Sequence, residues 1–329
     1  MNAAGRLGAY AAGLAVAFTG AFAAAGAVVP EGTVSAWMQS VDGPTDQHAS
    51  DQHSGGQEDS PAPASSSGTA RTGSPVRGVA MEQGGYLLQG ISAPEAVGQA
   101  GELSFTITGR DGKPVTAFDT EHEKDLHLIV VRSDGAHYRH VHPVMDEAGR
   151  WALPWSWDAA GTYRIYADVV PSGTGGNLTL TRTVAVAGDF APAASEVAAT
   201  DGVDGFQLSL NGELSAGSAS TLTVNVSRNG QPVTDLQPYL GAYGHLVALR
   251  SGDLAYLHVH PEGAEPVGNE VSGPAVEFAT TAPTPGRYYL YFDFQVDGTV
   301  HSAGFALDTH GSSATSTGDS AADDGHSDH

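Results

Sequence analysis

The sequence has no cysteine and few basic residues. Without cysteine, its 329 residues cannot form disulfides, thiolate nucleophiles, iron–sulfur clusters or cysteine-type zinc sites. Lysine and arginine number 14 against 37 aspartate and glutamate residues, which gives a formal net charge of −23. Because such a chain repels phosphate backbones and anionic lipid headgroups, we expect no nucleic-acid partner, and a small cation is the compatible partner.

Long stripes of helical periodicity are also missing after residue 30. In their place, 43 glycines and 18 prolines separate short runs rich in Val, Thr, Tyr and Phe. This pattern is typical of strands joined by tight turns, so we predict an all-β protein long enough for two domains. The sequence contains no G-x-S-x-G elbow, P-loop or dinucleotide fingerprint, and we expect no enzymatic activity.

The two ends of the chain differ from its middle. Residues 1–30 hold one basic residue, Arg6, followed by an uncharged stretch rich in Ala, Gly and Val. This predicts a hydrophobic helix, either a signal peptide or a membrane anchor, and an extracytoplasmic chain that is membrane-anchored or secreted. Residues 31–78 predict a disordered acidic linker and residues 309–329 a disordered His/Asp tail, because both lack apolar periodicity.

The middle of the chain is an internal repeat. The stretch "HYRHVHP" at 137–143 returns as "AYLHVHP" at 255–261, and "GTYRIYAD" at 161–168 returns as "GRYYLYFD" at 286–293. The first pair is offset by 118 residues (255 − 137) and the second by 125 (286 − 161), so the second copy contains a seven-residue insertion. The chain therefore contains two copies of one module.

Each copy has the pattern of a β-sandwich. About seven short strands over roughly a hundred residues, with Gly, Asp and Pro between them, are typical of an immunoglobulin-like sandwich, although periodicity alone leaves a small barrel open. We predict two tandem immunoglobulin-like modules, at 79–188 and 201–308.

A His-x-His pair recurs in both copies. In a strand, His140 and His142 point to the same face. If Ser133 to Ala136 form an even hairpin loop, opposed residues sum to 269, and His127 lies opposite His142. A two-residue loop would place His127 opposite His140 instead, and an odd loop would turn it to the other face. Either even loop brings three imidazoles together.

The second copy repeats this arrangement with His245, His258 and His260. In the first copy Met145 offers a soft thioether that would favour Cu(I), and in the second copy His301 lies on a late strand. Three neutral imidazoles suit Cu(II), Zn(II) or Ni(II). We therefore predict a three-histidine metal site in each module.

The same residues also have a structural interpretation. Histidines in strands commonly pack or form hydrogen bonds, and duplication copies a structural trio as readily as a metal site. Asp168 and Asp293 either orient ligand imidazoles as outer partners or are strand-end carboxylates. The stretch "HEKDLH" at 122–127 is one residue longer than the zincin motif and precedes a strand, so we do not interpret it as a protease site.

The segments "LHLIVVRSDGAHYRHVHP" and "YLGAYGHLVALRSGDLAYLHVHP" resemble a family of actinobacterial exported heavy-metal-binding-domain proteins. They are more loosely similar to YtkA-like and periplasmic copper-resistance modules, which are immunoglobulin-like sandwiches. The resemblance covers about residues 103–187 and 221–308. It implies extracytoplasmic binding of copper or another heavy metal, which would fall on His127, His140 and His142 and on His245, His258, His260 and His301.

Two functions follow from the sequence. The first is an extracytoplasmic metal-binding protein that sequesters or delivers copper, with zinc or nickel as alternatives, and meets the membrane through its N-terminal helix. The alternative is a tandem immunoglobulin-like surface module that binds a protein partner through structural His/Tyr clusters and holds no metal.

Overall fold

The computed structural model describes residues 76–194, 196–257 and 259–309. The predicted N-terminal helix, most of the linker and the tail from residue 310 lie outside these ranges. Within them the chain forms β-strands and no helix, and so contains no helical segment able to span a bilayer. The prediction of an all-β protein is confirmed.

The first module contains ten strands. They are β1 Glu82–Gln83, β2 Tyr86–Ser92, β3 Gly101–Thr108, β4 Phe118–Asp119, β5 His127–Arg132, β6 Arg139–Val141, β7 Val144–Met145, β8 Arg150–Trp155, β9 Gly161–Pro171 and β10 Leu178–Val186. One antiparallel sheet has the order β1-β2-β3-β8-β7, and the other has the order β10-β9-β5-β6, with β4 against β9.

The second module contains ten more. They are β11 Thr200–Val203, β12 Phe206–Asn211, β13 Ala219–Arg228, β14 Gln231–Pro232, β15 His245–Arg250, β16 Tyr256–Leu257, β17 Val259–Pro261, β18 Ala275–Thr281, β19 Arg287–Val296 and β20 Thr299–Asp308. One sheet has the order β11-β12-β13-β18-β17, with β14 against β13, and the other has the order β16-β15-β19-β20.

The strand orders of the two modules correspond and match the two sheets of an immunoglobulin sandwich. Apolar side chains that alternate along the strands fill the space between the sheets. In the first module these include Phe105, Trp151 and Ile165, and in the second Phe278 and Phe292, each at most 2% exposed. The immunoglobulin-like sandwich and the internal repeat predicted from the sequence are confirmed.

One sheet of each module is buried on both faces. All six residues of β5 are buried. Alternate residues such as Leu128 pack into the module's own core, whereas Ile129 and Val131 pack in one cluster with Val247 and Leu249 of the second module. The two modules are therefore joined sheet to sheet, and this shared apolar layer removes the outer faces of β5 and β15 from water.

Tyrosines cross this layer in a symmetrical pattern. Tyr138 stacks on Tyr291 with ring centres 4.1 Å apart, and Tyr166 contacts Tyr256 at 5.9 Å. Tyr138 and Tyr256 are repeat counterparts, and so are Tyr166 and Tyr291. The same two repeat positions therefore meet twice, once with each module supplying each position, as in an isologous dimer interface. The two modules pack as two copies of one domain would pack around a two-fold axis.

Candidate metal centre

The hairpin of β5 and β6 sets the position of the first histidine. Leu128 lies opposite Val141 and Ile129 opposite His140, so opposed residue numbers sum to 269. This is the register predicted for the even loop from Ser133 to Ala136. Extended by one residue, it places His127 beside His142, on the face that meets the second module.

Three imidazoles converge at this point. Nδ1 of His127 lies 3.0 Å from Nε2 of His140 and 3.2 Å from Nε2 of His142. Their ring centres are 5.2, 5.0 and 5.0 Å apart. Imidazoles bound to one tetrahedral ion at about 2.0–2.1 Å have donor nitrogens about 3.3 Å apart and ring centres about 5 Å apart. The triad therefore has the spacing of ligands to one ion.

The outer nitrogens of two rings determine where their protons lie. Nε2 of His127 is 3.0 Å from the main-chain oxygen of Glu121, and because a carbonyl only accepts, Nε2 carries the hydrogen. Nδ1 of His140 likewise donates to Oδ2 of Asp293 at 2.8 Å. When both rings are neutral, Nδ1 of His127 and Nε2 of His140 each present a lone pair to the other at 3.0 Å. Two facing lone pairs repel, and a proton or a cation between the rings would relieve this repulsion.

Burial keeps the rings of His127 and His142 unprotonated. Desolvation, with a further contribution from His140, lowers the pKa of His127 from 6.5 to about 3. The pKa of His142 falls to about 3 for the same reasons, burial first and then His140. Because the neutral imidazole is the form that binds metal, these two rings remain competent ligands at neutral and mildly acidic pH.

A carboxylate of the second module holds a histidine of the first module's triad. Asp293 is 1% exposed, and its Oδ2 accepts from Nδ1 of His140 and from the hydroxyl of Tyr138 at 3.1 Å. Its other oxygen accepts from Ser302. A carboxylate that fixes the tautomer of a ligand histidine is a common feature of metal sites. Asp293 orients the ring of His140, and it acts across the module boundary.

The second module does not repeat the triad within the described residues. Ala248 lies opposite Leu257 and Leu249 opposite Tyr256, so this hairpin also has the even register. The chain then leaves the sheet: His260, on β17, pairs with Ala279 of β18 in the other sheet and is exposed. In the first module β6 still runs beside β5 at Val141. The prediction of a second three-histidine site is thus not matched at His260, and His258 lies outside the described residues.

Met145 does not join the triad. It pairs with Trp151 in the opposite sheet and packs against the first module's core. The triad lies on the other side of the β5–β6 sheet, facing the second module. The predicted thioether ligand is corrected accordingly, because strand β7 has already crossed to the other sheet.

His301 also lies away from its expected neighbours. Its ring packs between Phe206 and Phe294, with ring centres at 4.8 and 5.3 Å, and its Nδ1 is 2.8 Å from Oδ2 of Asp204. His301 is paired with Phe294, whereas His245 is paired with Asp293. Since neighbouring residues of a strand point to opposite faces, His301 and His245 lie on opposite sides of the sheet. The expectation that they share a site is therefore wrong.

Sequence reasoning missed His122. It lies in the loop before β5, with its ring centre 6.1 Å from that of His127 and 5.3 Å from that of His245. The one feature of the sequence that points to His122 is its place in "HEKDLH", a stretch that does not fit the zincin motif. The contact with His245 joins different modules, and no pattern within one repeat predicts such a contact.

A cavity of about 50 Å³ adjoins the triad, between the two modules. Its polar lining consists of Glu121, His122, His127, His140, Asp168 and His245. Asp168 is buried and accepts from the hydroxyl of Thr179 at 2.8 Å, and burial raises its pKa to about 6. The cavity therefore combines imidazoles with carboxyl groups.

The chain has distant similarity to several solved structures, and it spans 57% of the first of them and 15% of the second. The Yersinia pseudotuberculosis adhesin InvE is 13% identical, with a TM-score of 0.21, and the match covers 65% of this chain and 57% of the adhesin. Salmonella alpha-2-macroglobulin reacted with methylamine is 17% identical, with a TM-score of 0.24, over 71% of this chain and 15% of that one. The D0-D1 domain of intimin is 12% identical, with a TM-score of 0.19, over 65% of this chain and 93% of that one. At such scores the likenesses carry no argument about function.

No curated protein matches the chain. The family model described as "Domain of unknown function (DUF8832)" matches residues 83–188 and 201–311, one match on each module. The chain therefore belongs to this family and contains two copies of its domain.

Proposed function

We propose that the protein binds a divalent transition-metal ion at His127, His140 and His142, and that it sequesters or delivers this ion outside the cytoplasm. The observation that carries the proposal is the distance of 3.0 Å between Nδ1 of His127 and Nε2 of His140. The other nitrogen of each ring already donates a hydrogen bond, so in the neutral rings these two nitrogens face each other with lone pairs. A cation between them turns this repulsion into coordination.

The ligand set favours copper(II), with zinc(II) and nickel(II) as alternatives. Imidazole nitrogen suits all three ions, and for a given nitrogen site copper(II) binds most tightly of them. The placement of Met145 in the opposite sheet removes the thioether that would have favoured Cu(I). The net charge of −23 supports the proposal further, because an acidic surface raises the local concentration of cations.

The proposal concerns binding and not catalysis. The triad lies on the face that meets the second module, and among the described residues no nucleophile accompanies it in a recognisable catalytic arrangement. An N-terminal segment of the export type is consistent with a protein that meets its metal outside the cytoplasm, either membrane-anchored or secreted.

The test is a copper(II) titration of untagged protein in the presence of a competing chelator that suppresses weak binding. His142→Ala removes one histidine of the triad and should abolish tight binding there, whereas His260→Ala, at an exposed position of β17, should leave it intact. Equal binding by wild type and His142→Ala would contradict the proposal. Elemental analysis of the protein as purified, compared between the two variants, gives a second readout.

A second candidate is a tandem immunoglobulin-like surface module that binds a protein partner and holds no metal. The observation that favours it is that the outer nitrogens of His127 and His140 already have hydrogen-bond partners in the protein. The three rings would then form a buried, hydrogen-bonded structural cluster. In that case His142→Ala would lower stability without changing the metal content.

A further inference from the structure

His245 of the second module presents a free ligand position to the cavity. Its Nε2 lies 2.9 Å from the main-chain oxygen of Tyr239 and 3.0 Å from that of Leu240. Both oxygens accept, so Nε2 carries the hydrogen, and in the neutral ring the lone pair is on Nδ1. His127, its repeat counterpart, uses its Nε2 in the same way and turns Nδ1 to the triad.

His122 of the first module supplies a matching ring. Its centre is 5.3 Å from that of His245, close to the separations of 5.0 to 5.2 Å within the triad. This is again the spacing of about 5 Å expected for two imidazoles on one ion. Both rings line the 50 Å³ cavity, which exceeds the roughly 10–15 Å³ needed for one water and so has room for a cation with a water ligand.

The backbone at His122 adopts a turn conformation that histidine does not favour. Glu121 and Lys124 exchange main-chain hydrogen bonds of 2.9 and 3.1 Å, so His122 and Glu123 form a two-residue hairpin loop. Their φ angles are 48° and 63°, as a type I′ turn requires. Asn-Gly is the favoured pair in such a turn, because residues with a larger side chain are strained at positive φ. A histidine at this position is costly to the turn and is explained by what its ring contacts.

We propose that the cavity between the modules is a second cation site, in which His122 and His245 bind a divalent ion of the imidazole-preferring class, such as copper(II) or zinc(II). Asp168 and Glu121 in the cavity lining contribute compensating carboxylates. The ligands come from different modules, so this ion cross-links them. The inference rests on the proposed function and extends it from one ion per chain to two.

The experiment is a count of tightly bound copper(II) in the full chain, under the same chelator competition. Wild type should bind two equivalents, His122→Asn one and His142→Ala one, and the double variant should bind none. His122→Asn suits the left-handed turn and removes only the ligand, so the fold should persist. Glu123→Gly, in the same turn, is the matched control and should keep both equivalents.

The outcomes separate the two proposals. One equivalent in wild type, lost in His142→Ala and kept in His122→Asn, would overturn the second site and leave the triad in place. No tight equivalent in wild type would overturn both. A single equivalent whose affinity falls in His122→Asn would make His122 a fourth ligand of the triad ion, which also overturns a second site.

Discussion

Replacing Asp293 by Asn should weaken metal binding at the triad, although Asp293 belongs to the other module. The carboxylate is 1% exposed and lies 2.8 Å from Nδ1 of His140. Asn keeps the size of the side chain and an oxygen that accepts from Nδ1, so the variant removes mainly the charge. Changes to such outer partners typically cost about 10–100-fold in metal affinity. At about 1.4 kcal/mol per tenfold, the loss corresponds to about 1.4–2.8 kcal/mol.

The assay is a competition titration with copper(II) near neutral pH, with the unfolding midpoint of each metal-free variant measured in parallel. Asp204→Asn is the matched control, because Asp204 also lies 2.8 Å from a histidine, His301, which points to the opposite face of the sheet from Asp293. Wild-type affinity in Asp293→Asn, or an equal loss in Asp204→Asn, would refute the role assigned to Asp293.

Two further predictions concern the metal-free protein. The pKa of His127 is about 3 in the folded chain and 6.5 in the unfolded chain. Between these pH values only the unfolded chain binds the proton, so the stability of the fold should decrease as the pH drops from 6.5 towards 3. Urea unfolding at several pH values should show this slope, at most about 1.4 kcal/mol per pH unit for this group, and a smaller slope in His127→Gln; identical slopes would contradict it. Gly135→Ala should destabilise by about 1–3 kcal/mol, because φ is +84° and the new Cβ would lie 2.9 Å from the ring of Tyr289. Gly112→Ala is the control, because φ is +73° there but the space around the new Cβ is open, so the variant measures the backbone strain alone. An equal loss of stability in Gly135→Ala and Gly112→Ala would contradict the close contact between Gly135 and Tyr289.

The sequence contained enough information to predict the triad of the first module. Alternation along a strand and the parity of one hairpin loop sufficed to place His127, His140 and His142 on one face, and the register of β5 and β6 confirmed it. Both signals are local, because they depend on a turn of four residues and on the two-residue period of a strand. The sandwich class followed in the same way from short strands between turns.

The packing of the modules was not predicted, although a signal was present. The stretch "HLIVVR" of β5 is apolar at four consecutive positions and does not alternate, which is the pattern of a strand buried on both faces. An isolated sandwich would leave one of those faces in water. The positions of His122 and Asp293 follow from this packing, and therefore lay beyond any inference made within one repeat.

The second module shows why a copied motif need not give a copied site. The His-x-His pair is preserved, but β16 ends at Leu257 and the chain joins the opposite sheet by Val259, whereas β6 stays in place to Val141. Strand β16 thus ends two repeat positions earlier than β6, since Leu257 corresponds to Arg139, and His260 does not stay beside His245. Identical residues at matching positions thus give a histidine of the triad in one copy and an exposed histidine in the other.

This asymmetry connects metal binding to the docking of the modules. The triad belongs to the first module, its outer carboxylate to the second, and the adjoining cavity to both. An ion that binds only the docked arrangement stabilises it by RT ln(1 + [L]/Kd), about 2.7 kcal/mol at a free concentration one hundred times Kd. Two modules that were independent in sequence would then unfold as one unit when metal is bound. The apolar layer that joins them already provides the contact through which this coupling acts.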